Sequence, residues 1–132
     1  MNRLVWIALQ VVALTMGVTL GYAASAYKQG TLTTAGADCN VATRCVVASL
    51  RKTFNGSVQI ANTFTGTMVF EATTDDLNWN FMSLTPLGGG SAATSVTATG
   101  VWIWSNTAVS QFRVRANALS SGTPAVSILG TD

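Results

Sequence analysis

The sequence contains no histidine, and only five of its 132 residues are acidic. The first absence removes the commonest general base and the commonest metal ligand. Charged residues of both signs make up 9% of the chain, against about 25% in an average soluble domain. The formal net charge of +2 is too small to indicate a nucleic-acid partner. There are two cysteines, Cys39 and Cys45, in DCNVATRC. A zinc site needs two further ligands, and none is evident. The pair reads either as a small-loop disulfide, if the chain matures in an oxidising compartment, or as two free thiols. A nucleophilic hydrolase without histidine would need a Ser–Lys arrangement. Neither Lys28 nor Lys52 sits in S-x-x-K, and the glycines at 88–90 lack the lysine of a phosphate loop. These absences predict a protein that is not an enzyme and uses no cofactor.

Hydrophobic residues make up 48% of the chain, with threonine, serine, glycine, alanine and valine filling the space that charges leave. Its length suits one domain. An uncharged run begins at Leu4, just after Arg3, and ends at Ala26. As a helix it would span about 34 Å, which matches a bilayer core. Trp6 and Tyr22 lie near its ends, where interfacial aromatics are expected. Ala24-Ser25-Ala26 also has the small-x-small form of a signal cleavage site. A membrane anchor, a signal and an assembly arm all fit, and retention is the expectation. Residues 28–38, KQGTLTTAGAD, are polar and without period, so they read as a linker. The expected organisation is an apolar segment at 1–27, a linker at 28–38 and a folded domain at 39–132.

The folded part shows period-two alternation in short runs. These lie at 45–50, 57–62, 67–71, 78–82, 101–104, 112–116 and 125–128, with turn residues between them. About seven short strands predict an all-β fold, a single antiparallel sandwich. Three of the five acidic residues, Glu71, Asp75 and Asp76, fall in FEATTDDLNW at 70–79. A calcium loop needs six to eight oxygens, and the EF-hand spacing is absent. Paired catalytic carboxylates need a shared cleft. Asp75, Asp76 and Asn78 stand between two alternating runs, where a hairpin needs turn residues, so the stretch reads as a solvated tip.

GTMVFEATTDDLNWNFMSL at 66–84 and ATGVWIWSNTAVSQFRVRANALSSGTPAVSILG at 98–130 resemble a small β-sandwich domain common in bacteriophage and prophage proteins. That pattern runs G-T-hydrophobic-x-F-E-G-S-x-D-G-x-N-W and closes with hydrophobic-R-V-R and a Ser-Gly-Thr turn. Ala72 and Asp76 stand where the pattern has glycine. The resemblance covers about residues 55–130 and implies a virion or tail structural module without enzymatic activity. The expected role is capsid decoration or cementing at the particle surface. The expected partners are further copies of the chain and other virion proteins such as the major capsid protein. A tail or secreted carbohydrate-binding module and a membrane-anchored virion component are the alternatives.

The expected assembly contacts are Trp6, Trp102, Trp104, Arg113 and Arg115. In VWIW, Trp102 and Trp104 share one face of a strand, as core, interface or sugar platform. Arg113 and Arg115 project from one face of another strand, toward solvent or a neighbouring subunit. Arg51-Lys52 forms a second small basic spot.

Overall fold

The computed structural model describes residues 25–51 and 53–132. Trp6, Lys52 and all but the last three residues of the apolar segment lie outside the described residues. The fold is an antiparallel β-sandwich of two sheets. Its strands are β1 (Ser25–Thr31), β2 (Cys45–Ser49), β3 (Asn55–Ala61), β4 (Phe64–Thr73), β5 (Asn80–Phe81), β6 (Thr85–Pro86), β7 (Ser95–Val96), β8 (Gly100–Trp104), β9 (Gln111–Gly122) and β10 (Ala125–Thr131). The first sheet runs β1-β10-β3-β8-β6. The second runs β2-β9-β4-β5, with β7 also on β4.

Alternation places the core between the sheets. Val58, Ile60, Trp102, Trp104, Val126 and Ile128 face inward from the first sheet. Val46, Ala48, Met68, Phe70, Phe112, Val114 and Ala116 meet them from the second, and all are buried. The aromatic centre is a chain of contacts. The Trp104 and Phe112 ring centroids lie 4.9 Å apart, Phe70 and Phe112 6.2 Å, and Phe70 and Trp102 5.6 Å. The Trp104 ring lies over Gly56, its cross-strand partner. A Cβ there would approach the ring to 2.1 Å, so only glycine admits the indole. Gly122 turns the chain from β9 into β10 with φ +83°, a conformation that L-residues with a Cβ rarely adopt.

The structure corrects the expected boundary at residue 39. Residues 28–38 are not a linker. β1 pairs with β10 over seven positions, from Ser25 opposite Thr131 to Thr31 opposite Ala125. Leu32 follows it fully buried, and its N–H donates to the Pro124 carbonyl. An edge strand joins a sheet through backbone hydrogen bonds, so it needs no alternating apolar side chains to belong there. The run at 78–82 shrinks to the two residues of β5. Phe81 remains mostly exposed, because it stands opposite Glu71 and so points to the outward face of the second sheet, on its edge strand.

Candidate functional site

Arg113 and Arg115 point away from the core, as alternation requires, but they do not meet solvent. They converge on Glu71, the residue opposite Arg113 on β4. Arg113 Nε donates to Glu71 Oε2 at 2.7 Å. Arg115 Nη2 donates to Oε1 at 2.8 Å, and its Nε to Oε2 at 3.1 Å. Arg115 Nη1 then donates to the Gly36 carbonyl at 2.6 Å and to Asn117 Oδ1 at 3.1 Å. Glu71 and Arg115 are both more than nine-tenths buried. The Arg113 guanidinium lies 4.0 Å from the centre of the Trp79 ring, within the range of a cation–π contact. Burial alone would raise the Glu71 pKa. Hydrogen bonds from Arg115 and Arg113, and their charges, outweigh burial and hold it below the usual carboxylate value. Arg113 and Arg115 are therefore internal ion-pair residues rather than contacts for a neighbour. Two guanidinium groups and one carboxylate leave this cluster with one net positive charge, held against Trp79 and beneath the segment between β1 and β2.

The cover over Arg115 is the segment between β1 and β2. Gly36 N–H donates to the Ala116 carbonyl at 3.0 Å. Asp38 accepts from Arg44 Nη1 at 2.8 Å. Cys39 and Cys45 are joined by a disulfide, with Cα atoms 5.6 Å apart. The bridge and the Asp38–Arg44 pair hold this short loop closed where it passes over the buried charges.

The acidic turn is tied down more firmly than a solvated tip. Asp75 Oδ1 accepts from the Leu77 and Asn78 backbone N–H groups at 2.9 and 2.7 Å and from Thr73 Oγ1 at 2.9 Å. Asp75 Oδ2 accepts from Asn78 Nδ2 at 2.6 Å. Hydrogen bonds from Asn78, then Leu77 and Thr73, pull the Asp75 pKa far below the ordinary range. Asp76 takes the left-handed conformation, φ +62°, at a position where the resembling pattern has glycine. Its carboxylate accepts from Ser110 Oγ at 2.5 Å, Gln111 Nε2 at 3.0 Å and Arg51. The turn thus latches the loop that leads into β9. Among the described residues, no group of three His, Cys, Asp or Glu side chains could hold a metal.

Trp102 and Trp104 are each 7% exposed. They are core residues, so neither serves as an assembly contact or a sugar platform. The reason is strand parity: β8 lies between β3 and β6 in its sheet and turns both indoles inward. Sequence reasoning missed the Glu71 cluster. Its signal was present, because opposite charges on outward positions of two adjacent strands pair when the strands pair. An open groove of about 420 Å³ lies beside β5, lined by Thr73, Thr74, Asn80, Phe81, Ser83 and Thr107 among others. It offers hydroxyls and an aromatic edge but no ionisable group.

No protein-family model matches the sequence, and no curated protein matches it. Solved structures share the fold. The SPBc2 prophage-derived protein YomS superposes with a TM-score of 0.62, covering 86% of this chain and 97% of its own, at 12% identity. The PBSX exported protein XepA superposes with a TM-score of 0.67 at 8% identity; the match covers 86% of this chain and 39% of XepA. Likeness at these identities is likeness of fold.

Proposed function

We propose that the chain is a non-enzymatic structural protein of a bacteriophage particle. In this reading it is present in many copies as a capsid decoration or cement protein, in contact with its own copies and with the major capsid protein. The observation that carries the reading is the whole-domain match to a prophage-derived protein, which spans 97% of YomS. The hydrogen-bonding state of the acidic groups supports the non-enzymatic part. Asp38, Glu71, Asp75 and Asp76 each already accept hydrogen bonds that lower their pKa. A general base for chemistry at neutral pH needs the opposite shift. The test is intact-mass spectrometry on purified particles, quantified against the major coat protein. A chain in hundreds of copies is the expected result; a chain absent from particles would sink the proposal.

A second reading is an exported binding module at a tail tip or cell surface, favoured by the Cys39–Cys45 disulfide. Such bonds persist outside the reducing cytosol. Low copy number on particles, or recovery from the medium as a mature chain shortened at its N-terminus, would favour it.

A further inference from the structure

The outward face of the first sheet carries no charge. Its residues follow from the strand register. One row runs Tyr27–Leu129–Ser57–Ile103–Thr85 across five strands, and the next runs Gln29–Ser127–Gln59–Val101. The flanking rows are Ser25–Thr131–Asn55 and Thr31–Ala125–Ala61. None of these residues is Asp, Glu, Lys or Arg. Tyr27, Leu129 and Ile103 are exposed at 64%, 42% and 36%. A solvated sheet face ordinarily carries charged side chains that keep molecules apart.

We propose that this face packs against the same face of a second copy of the chain; the proposal rests on the many-copy reading above. The register supplies a self-complementary relief. Leu129 and Ile103 stand two strands apart, about 10 Å, with the small Ser57 between them. A two-fold axis lying between β10 and β3, parallel to the strands, sets Leu129 over the partner's Ser57 and Ile103 over the partner's Tyr27. Both contacts are reciprocal, as an isologous interface requires. An uncharged face meets its own copy without like-charge repulsion. The other sheet cannot accept it, because the segment between β1 and β2 and the Arg113–Trp79 stack already occupy that side. The face covers about 400 Å² per copy from strand spacing and rise, below the roughly 800 Å² per partner of a stable complex. The pairing is therefore weak in dilute solution and fills where copies are held close together.

Sedimentation velocity of the full chain across micromolar to millimolar concentration tests this. A concentration-dependent dimer is expected, weakened about 100-fold by Ile103→Glu or Leu129→Glu, since each dimer would bury two unpaired carboxylates. Should either variant misfold, cysteine trapping reads the same contact. Oxidising a mixture of Ser57→Cys and Leu129→Cys chains should give a mixed dimer, and Ala118→Cys chains should give none. Dimers that ignore both Glu substitutions, or cysteines that never cross-link, would overturn the proposal. A chain monomeric at every concentration whose Ile103→Glu variant fails to load onto particles would overturn it in favour of a different particle protein on this face. Particle copy number is read separately. A chain abundant on virions but monomeric sinks only the face-to-face contact. A chain dimeric through this face but absent from virions sinks only the virion reading.

Discussion

The two outer faces of the sandwich differ in how they treat charge. On the second sheet, Glu71, Arg113 and Arg115 lie together under a disulfide-closed loop and beside Trp79. On the first sheet, four cross-strand rows carry no charge, and nothing within the described residues covers them. A chain with so few charges gathers three of them into one ion-paired cluster that fixes a loop. The face left without charge is the one suited to contact. A structure can hold ion pairs that look like surface recognition in the sequence and yet have no role at the surface.

The largest effect should come from breaking the covered face. Glu71→Gln leaves Arg115 buried with one strong partner fewer, and should lower the unfolding free energy by about 3–5 kcal/mol in urea titration. A loss under about 1 kcal/mol would show that the cluster is effectively solvated. The same residue sets an acid dependence. Its pKa is depressed in the folded chain, so its contribution is complete above the unfolded value near pH 4. It fades as pH falls through the lower folded value. Melting temperatures of Glu71→Gln should therefore fall less steeply than wild type between about pH 4 and pH 2.

Next in size is the loop that covers the cluster. Replacing Cys39 and Cys45 together by serine should cost about 2 kcal/mol, from the entropy of a short closed loop, read as a lower thermal midpoint. Wild type with reductant should shift to match. Smaller still is the acidic turn. Asp75→Ala should lower the midpoint, and Asp75→Asn should lower it less, because the amide oxygen still accepts from the Leu77 and Asn78 N–H groups. Calcium should change neither; a calcium-dependent midpoint would point to a metal in the turn. The smallest effect belongs to the bare face. Ile103→Glu should alter stability by only about 0.5 kcal/mol while altering association, and a large stability loss would mean that Ile103 packs within its own chain.

Much of this arrangement was legible before the structure. Phe112, Val114 and Ala116 on one side and Arg113 and Arg115 on the other follow from period two alone. Asp75 and Asn78 mark their own turn, because short polar side chains bond the adjacent backbone. β1 was not legible. SAYKQGT has neither strong alternation nor a β-branched run, and its place comes from backbone bonds to β10. The role of Trp102 and Trp104 was half legible: alternation puts both on one face of β8 but does not say which face is inside.

Local sequence was enough for the fold class, for the positions of β8, β9 and β10, and for the turn at 74–78. These depend on local periodicity and on side chains that bond nearby backbone. Tertiary structure alone decided which face became core, that Glu71 would gather both arginines across β9, and that residues 28–38 would belong to the domain. Each of these depends on which strands become neighbours, and that pairing joins residues some forty to a hundred positions apart.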